Sequence, residues 1–223
     1  MDIATYVLIH GAGSDSWYWH RVIPLLRARG HTIVAPDLPC DDDSAGFKEY
    51  ADVVVRAIGY YTDLIIVAQS LGGFTAPLVC AELPVEMMVL VAAMVPRPGE
   101  SGDEWWINTG YPKSDKPFDV KSIFFHDVPP DVTAEAFRRG EKQQSGTPME
   151  QPWPLKQWPN VPTRFLLCRQ DRFFPADFMR RVVKERLGIT PDEMDSGHLP
   201  ALSHPKELVE QLETYRRGLD RAS

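Results

Sequence analysis

A serine, an aspartate and a histidine stand far apart in this 223-residue chain, each just after a stretch that predicts a strand. Ser70 comes first, then Asp171, then His198. Because parallel strands gather their carboxyl ends along one edge of a sheet, these side chains can lie together. A neutral hydroxyl becomes a nucleophile when an imidazole, oriented by a carboxylate, takes its proton. These residues therefore predict nucleophilic catalysis, with Ser70 as nucleophile, His198 as base and Asp171 as orienting acid.

The segment around the serine has the features of a sharp strand-to-helix turn. Its sequence, DLIIVAQSLGG at 63–73, joins a run of strand-forming residues to a helical stretch. Such a turn strains the serine backbone and brings neighbouring chain close, so the positions two before and two after it must be small. Ala68 and Gly72 meet that requirement. Taken alone, the pattern also fits a serine that merely caps a helix.

Several other residues compete for the roles of acid and base. Asp177 is predicted one turn into a helix, Asp195 stands too near His198 in sequence to approach it from across the site, and Asp37 follows the wrong strand. His10 is predicted to be structural, pinning the loop that follows it. The remaining histidines are predicted at the surface or at helix caps: His20, His31, His126 and His204.

A glycine-rich loop, HGAG at 10–13, follows the first predicted strand. Backbone N–H groups in such a loop can stabilise the oxyanion of an acyl-transfer intermediate, together with the N–H of the residue after the nucleophile. Ala12 and Leu71 are the predicted donors, and Gly11 leaves the amides accessible to substrate. A dinucleotide fingerprint is not satisfied, because Ser16 replaces its third glycine, and no cofactor is expected.

The predicted elements alternate between strand and helix, which favours an α/β fold. We expect an open, mostly parallel sheet of about six strands with helices on both faces. The predicted strands are 5–9, 32–35, 64–67, 87–91, 163–168 and 192–194.

Residues 96–162 interrupt this alternation. They hold 11 of the 20 prolines and four tryptophans, and only one short helix is predicted there, at 133–139. We expect a core of residues 1–95 and 163–223 and an inserted lid of residues 96–162. The lid aromatics either fill the lid's own small core or line an apolar pocket over Ser70: Trp105, Trp106, Trp153, Trp158, Phe124 and Phe125.

Composition excludes several classes of protein. A net charge of −7 and a pI near 5.4, without a basic stripe, argue against nucleic-acid binding. No apolar run is long enough to span a membrane and no signal-like segment is seen, so a cytoplasmic protein is expected. Three separated cysteines and an acidic run at 41–43 lack the spacing of zinc or calcium ligands, and no metal is expected. A monomer and a homodimer both remain open.

Six short motifs together resemble those of the α/β-hydrolase superfamily. They are VLIHGA at 7–12, SWYW at 16–19, PDL at 36–38, QSLGG at 69–73, DRFFP at 171–175 and GH at 197–198. The chain is similar in particular to the compact esterase and hydroxynitrile lyase-like group. One departure is Ala68, which stands where the family usually has glycine; alanine is also small.

The same resemblance distinguishes two chemistries. Lyases of this group that resemble the rubber-tree type carry a threonine after the strand-end histidine and a lysine after the catalytic histidine, where this chain has Gly11 and Leu199. The resemblance therefore implies a carboxylesterase-like serine hydrolase acting on a small ester. The alternatives are a hydroxynitrile lyase-like enzyme and a small-molecule receptor that keeps the triad but turns over little.

Overall fold

The computed structural model describes residues 3–112 and 117–219; the first two and last four residues of the predicted core lie outside those ranges. Strands and helices alternate along the described chain, after a 3-10 helix at Ser16–Trp19. The strands are β1 (Thr5–Ile9), β2 (Thr32–Val34), β3 (Leu64–Gln69), β4 (Met87–Val91), β5 (Thr163–Cys168) and β6 (Asp192–Met194). The helices are α1 (Ile23–Arg27), α2 (Phe47–Ile58), α3 (Gly72–Glu82), α4 (Gly102–Asn108), α5 (Val120–Phe124), α6 (Pro130–Arg139), α7 (Thr147–Glu150), α8 (Ala176–Leu187), α9 (Pro200–Ser203) and α10 (Pro205–Leu219).

The six strands form one sheet in the order β2-β1-β3-β4-β5-β6, and every neighbouring pair is parallel. The predicted α/β fold with about six strands is therefore confirmed. The order reverses at β1, which has β2 on one side and β3 on the other. In open parallel sheets the crevice at such a reversal collects ligands at the carboxyl ends of the strands. That crevice lies between the glycine loop after β1 and Ser70 after β3.

Helices cover both faces of the sheet, as predicted. Alternate residues of β1 point to opposite layers: Val7 and Ile9 pack with α2, α3 and α8, whereas Tyr6 and Leu8 pack with α1 and α10. Both layers are apolar, because strands buried on two faces require hydrophobic side chains throughout. Burial on both sides gives the loops at the carboxyl edge a rigid support.

The spacing of the apolar residues Trp19, Val22, Ile23 and Leu26 predicts one helix that ends at Gly30, but the helical region observed there is shorter. Instead of one helix reaching Gly30, the 3-10 helix at Ser16–Trp19 is followed by a turn and by α1. Pro24 occupies the first turn of α1, where its missing N–H and fixed φ suit a helix start. The proline therefore marks the beginning of a second helix.

The helix predicted at 133–139 is present within α6, but the described part of the segment between β4 and β5 also contains α4, α5 and α7, so the prediction that it holds only one helix is wrong. Proline breaks the interior of a helix, but Pro130 and Pro148 occupy the first turns of α6 and α7, where proline is tolerated. Side-chain caps start the other two helices: Ser101 forms a capping box with Glu104, and Asp119 accepts from the backbone of α5.

A buried ion pair anchors this segment to the core. Arg186 on α8 and Glu100 are 2% and 3% exposed, and Nη2 of Arg186 lies 2.8 Å from Oε1 of Glu100. The amide of Asn108 donates to the same oxygen. Removal of one partner would leave the other charge buried without a counter-ion, which costs several kcal/mol. The pair therefore keeps the beginning of α4 against α8.

His31 is buried, contrary to its predicted place at the surface or a helix cap. Its Nδ1 accepts a hydrogen bond from the N–H of Ala4 at 3.2 Å, and its Nε2 lies 3.0 Å from Oε1 of Glu213. Tyr6 donates to that carboxylate, and Arg216 lies 3.3 Å from it. An Nδ1 that accepts from an amide carries no proton, so the ring is neutral.

Stability should therefore depend on pH through His31. Burial first, and Arg216 nearby, hold the pKa of His31 below 6.5, the value expected in the unfolded chain. Between these two pKa values the unfolded state binds more protons, so a fall in pH through this window lowers the free energy of unfolding. The pKa of Glu213 is lowered despite its burial, by hydrogen bonds from Tyr6 and Arg216, so that carboxylate stays charged.

Urea unfolding at a series of pH values from neutral downwards would measure this dependence. The variant His31→Gln, which has no titrating group at that position, should show a shallower loss of stability below about pH 6.5. A variant curve as steep as the wild-type curve would contradict the assignment to His31.

Among the described residues, no helix combines the length and apolar character needed to cross a membrane.

Candidate active site

Ser70 occupies a strained turn between β3 and α3. Its φ is +52°, in the left-handed region that residues with a side chain seldom adopt. The elbow is tied to the end of β4, because Ser70 N donates to Val91 O at 3.3 Å and Met94 N donates to Ser70 O at 2.9 Å. A Cβ atom on Gly72 would lie 3.0 Å from the carbonyl oxygen of His10. The small residue predicted at that position is therefore required by close contact with the glycine loop.

The structure brings Ser70, His198 and Asp171 together. Nε2 of His198 lies 3.1 Å from Oγ of Ser70, and Nδ1 lies 2.7 Å from Oδ2 of Asp171. Ser70 is 9% exposed, Asp171 7% and His198 2%. These contacts match the arrangement of nucleophile, base and orienting acid in serine hydrolases.

The backbone around Asp171 determines which nitrogen of His198 holds the proton. Oδ1 of Asp171 accepts from the N–H groups of Phe173 and Phe174, at 2.8 and 2.9 Å, so Oδ2 is left for the imidazole. A carboxylate only accepts hydrogen bonds, and Nδ1 of His198 must therefore donate. The lone pair of Nε2 then faces the hydroxyl of Ser70, which is the tautomer that a general base needs.

The competing acids lie elsewhere. The side chain of Asp177 is 97% exposed and pairs with Arg180, and that of Asp195 is 64% exposed and pairs with Arg169. Each of these carboxylates forms an ion pair with an arginine at the protein surface. Asp171 is the carboxylate that contacts His198.

Three phenylalanine rings surround the imidazole. The ring centroids of Phe124, Phe173 and Phe174 lie 5.2, 5.3 and 5.1 Å from that of His198. Two of these rings come two and three residues after Asp171 in sequence, and the third belongs to α5. Water is thereby kept from the Asp171–His198 hydrogen bond, which strengthens the interaction between the carboxylate and the imidazole.

His10 is structural, as predicted. Its Nε2 accepts from the N–H of Leu38 at 3.1 Å, and its Nδ1 lies 2.8 Å from the carbonyl oxygen of Gly11. Burial lowers the pKa of this histidine, which keeps the ring neutral and able both to donate and to accept. The ring joins the glycine loop to the loop after β2.

Ala12 and Leu71 flank the serine as the predicted oxyanion donors. Ala12 lines the pocket beside Ser70, and Leu71 follows the nucleophile at the start of α3. Within the described residues, neither backbone N–H donates a hydrogen bond. Gly13, the next residue of the loop, donates to Oε1 of Gln144 at 3.3 Å. The loop is therefore held by its neighbour while the Ala12 amide stays available.

Gly11 is required by the space around it. A Cβ atom there would lie 2.5 Å from Oε1 of Gln69 and 2.8 Å from Cβ of Ser70. Distances below 3.0 Å are not tolerated without movement of the neighbours, and Ser70 is fixed by the elbow. The loop can approach the nucleophile this closely because position 11 has no side chain.

A pocket of about 440 Å³ opens over Ser70 and His198. The predicted lid aromatics divide into two groups. Phe124 and Phe125 line the pocket, and Phe137, Phe173 and Leu199 add to its apolar wall.

None of the four tryptophans lines this pocket, so they follow the other alternative and fill a hydrophobic core. Trp105 and Trp153 are 0% and 1% exposed, and their indole N–H groups donate to the carbonyl oxygens of Val95 and Phe74. They bury the inserted segment against the core. The tryptophans and the phenylalanines of this segment differ in where the fold places their rings, which the sequence does not indicate.

The rim of the pocket is polar. Asp15, at the start of the 3-10 helix, lies 3.0 Å from Nη2 of Arg139 and 3.7 Å from Nζ of Lys142. The guanidinium group of Arg139 also lies 5.2 Å above the ring of Trp17. These contacts join the end of α6 to the loop after β1 across the entrance.

Gln69 has a role that its place before the nucleophile did not reveal. Its side-chain amide donates to the carbonyl oxygen of His198 at 3.0 Å. The residue before the nucleophile thus holds the backbone of the base. No local sequence pattern indicates this contact, because it joins residues 129 positions apart.

Across residues 3–112 and 117–219, no three His, Cys, Asp or Glu side chains converge as metal ligands do.

Comparison with known proteins identifies the family. A model of the alpha/beta hydrolase family matches residues 6–211. The chain belongs to this family. Norfluorocurarine synthase 1 from Strychnos sp. is 23% identical in an alignment that covers 93% of each chain. Methylesterase 7 from Arabidopsis thaliana is 25% identical, covering 91% of this chain and 92% of the relative. The crystal structure of polyneuridine aldehyde esterase matches with a TM-score of 0.82 and 19% identity, over 96% of this chain and all of that one.

Proposed function

We propose that this α/β-hydrolase cleaves a small carboxylic ester by nucleophilic catalysis at Ser70. The observation that carries the proposal is the pair of contacts made by His198, 3.1 Å to the serine hydroxyl and 2.7 Å to Asp171. Several relatives that the chain matches over nine-tenths of its length are named as esterases, including methylesterase 7 and methyl jasmonate esterase 1 from Vitis vinifera. Both lines of support favour an ester bond as the target.

The reaction begins with transfer of the Ser70 proton to Nε2 of His198 as Oγ attacks the ester carbonyl. The carbonyl oxygen becomes an oxyanion, which the N–H groups of Ala12 and Leu71 stabilise. Each such donor is worth roughly 3 to 4 kcal/mol to the transition state. His198 then protonates the departing alcohol, and the acyl group stays on Ser70. Water, activated by the same imidazole, releases the acid.

The pocket supports an apolar acyl group. Phe124, Phe125 and Phe173 provide a wall that an apolar chain or ring can contact, while the polar rim faces the entrance. We propose that residues 96–162 act as a lid over this site. The 440 Å³ volume exceeds what an acetyl group fills, so the acid is expected to be larger than acetate.

Cyanohydrin cleavage is the second reaction considered for this fold. It needs a side-chain hydroxyl near the nucleophile to hold the substrate and a positive charge to stabilise cyanide. Position 11 has no room for a side chain, and Leu199 presents an apolar group to the pocket. Ester hydrolysis needs neither group.

Two assays separate the reactions. We expect measurable turnover of p-nitrophenyl acetate and no release of cyanide from mandelonitrile above the rate in buffer. Both assays use the full chain, with Ser70→Ala as the blank. Serine-dependent release of cyanide would contradict the proposal, and absence of both activities would favour a receptor that keeps the triad.

A further inference from the structure

Asp127 contacts the loop that carries the catalytic base. It lies in the turn between α5 and α6, and its side chain is 11% exposed. Oδ2 of Asp127 accepts a hydrogen bond from the backbone N–H of Gly197 at 2.6 Å. Gly197 immediately precedes His198. A charged acceptor at this distance makes one of the stronger hydrogen bonds in proteins.

The fit between the two loops is close. A Cβ atom on Gly197 would lie 2.6 Å from Oδ1 of Asp127 and 2.7 Å from Nε2 of His126. His126, predicted at the surface or at a helix cap, is half-buried, and its Nε2 atom is buried. Any side chain at position 197 would force the turn at 126–127 away from the loop. The absence of a side chain at Gly197 therefore allows Asp127 to approach the backbone N–H this closely.

The other anchors of the loop come from the sheet. Ser196 O accepts from the N–H of Gln170 at 3.0 Å, after β5, and Gln69 donates to the carbonyl oxygen of His198. Asp127 accepts from the N–H between these two points and belongs to the segment between β4 and β5. The backbone around His198 is thus held both by residues that follow β3 and β5 and by Asp127.

The same short segment forms part of the pocket wall. Phe124, at the end of α5, lines the pocket with its ring 5.2 Å from that of His198, and Asp127 follows three residues later. Placement of this segment therefore sets both the substrate surface and the position of the base.

We infer that Asp127 is a positioning residue for His198, which makes the geometry of the base depend on how the segment between β4 and β5 is seated. The inference rests on the proposed function. Loss of the contact frees the loop before His198, and Nε2 no longer stays within hydrogen-bond distance of Oγ of Ser70. Displacements of about 1 Å in catalytic groups cost up to about 100-fold in rate.

The test compares Asp127→Ala with Asp127→Asn, which keeps an oxygen that can accept from Gly197. Asp131→Asn, an exposed carboxylate on α6, is the matched control. Turnover of p-nitrophenyl acetate is divided by the number of sites titrated with a fluorophosphonate, so that unfolded protein is not counted. We expect Asp127→Ala to lower kcat per site about 10- to 100-fold with KM nearly unchanged. The asparagine variant should regain most of the rate, and the control should equal the wild type.

The rate of fluorophosphonate labelling at Ser70 tests the same geometry without an ester substrate, and it should fall in parallel with kcat for Asp127→Ala. If the wild-type protein labels at Ser70 and Asp127→Ala labels and turns over equally fast, the inference is overturned while the proposed function stands. Equal losses in the alanine and asparagine variants would also overturn it, because the acceptor oxygen would then be irrelevant. Wild-type protein that does not label would instead contradict the proposed function.

Discussion

Replacing Ser70 with alanine is expected to lower ester turnover by about 10⁴- to 10⁶-fold, because it removes the hydroxyl that His198 contacts and with it the acyl-enzyme. Oγ of Ser70 is the atom that Nε2 of His198 faces, at 3.1 Å. The remaining turnover would come from the oxyanion donors and from binding. Steady-state hydrolysis of p-nitrophenyl acetate and labelling with a fluorophosphonate measure the loss.

The fold should survive this replacement. Alanine and serine differ by one oxygen, and the backbone bonds of residue 70 to Val91 and Met94 do not involve the side chain. The thermal midpoint should therefore change little. Ser44→Ala, in an exposed loop, is the control and should keep full labelling. Labelling that persists in Ser70→Ala would place the nucleophile elsewhere.

Asp171→Asn is expected to have the second-largest effect, a loss of about 10⁴-fold in kcat. The N–H groups of Phe173 and Phe174 demand an acceptor at Oδ1, so the amide oxygen of asparagine would take that place. The amide nitrogen would then face Nδ1 of His198 and donate to it. The imidazole proton would move to Nε2, where the ring cannot accept a proton from Ser70.

Two other replacements test whether the effect is specific. Asp177→Asn and Asp195→Asn remove carboxylates that pair with surface arginines, and both should keep near-wild-type kcat. Measurement of kcat and KM for the three variants under the same conditions gives the ranking. Equal losses at positions 171 and 195 would mean that the orienting acid has been misassigned.

Local pattern was enough to predict the sheet and the residues at its carboxyl edge. Five of the six strands follow from short apolar runs, since strands buried on both faces are apolar throughout. The sixth, β6, is short and polar, so no apolar run marks it. The elbow around Ser70 was also predictable, because its small neighbours are imposed by local sterics.

Contacts between distant segments could not be predicted in this way. Trp105 and Phe124 lie in the same inserted segment, and nothing in composition tells which ring faces the pocket and which is buried. The same limit applies to His31, whose burial depends on Glu213 at the far end of the chain. Partners that approach through tertiary structure carry no local sequence signature.

The tight space at Gly11 limits how this chain could change its chemistry over evolutionary time. A threonine there, as the related lyases carry, would collide with Gln69 and with the nucleophile itself. Single-step replacement would therefore damage the existing activity before a new one arose. Substitutions elsewhere would first have to move the glycine loop away from Ser70 without loss of activity. The order in which mutations occur would therefore matter more than their number.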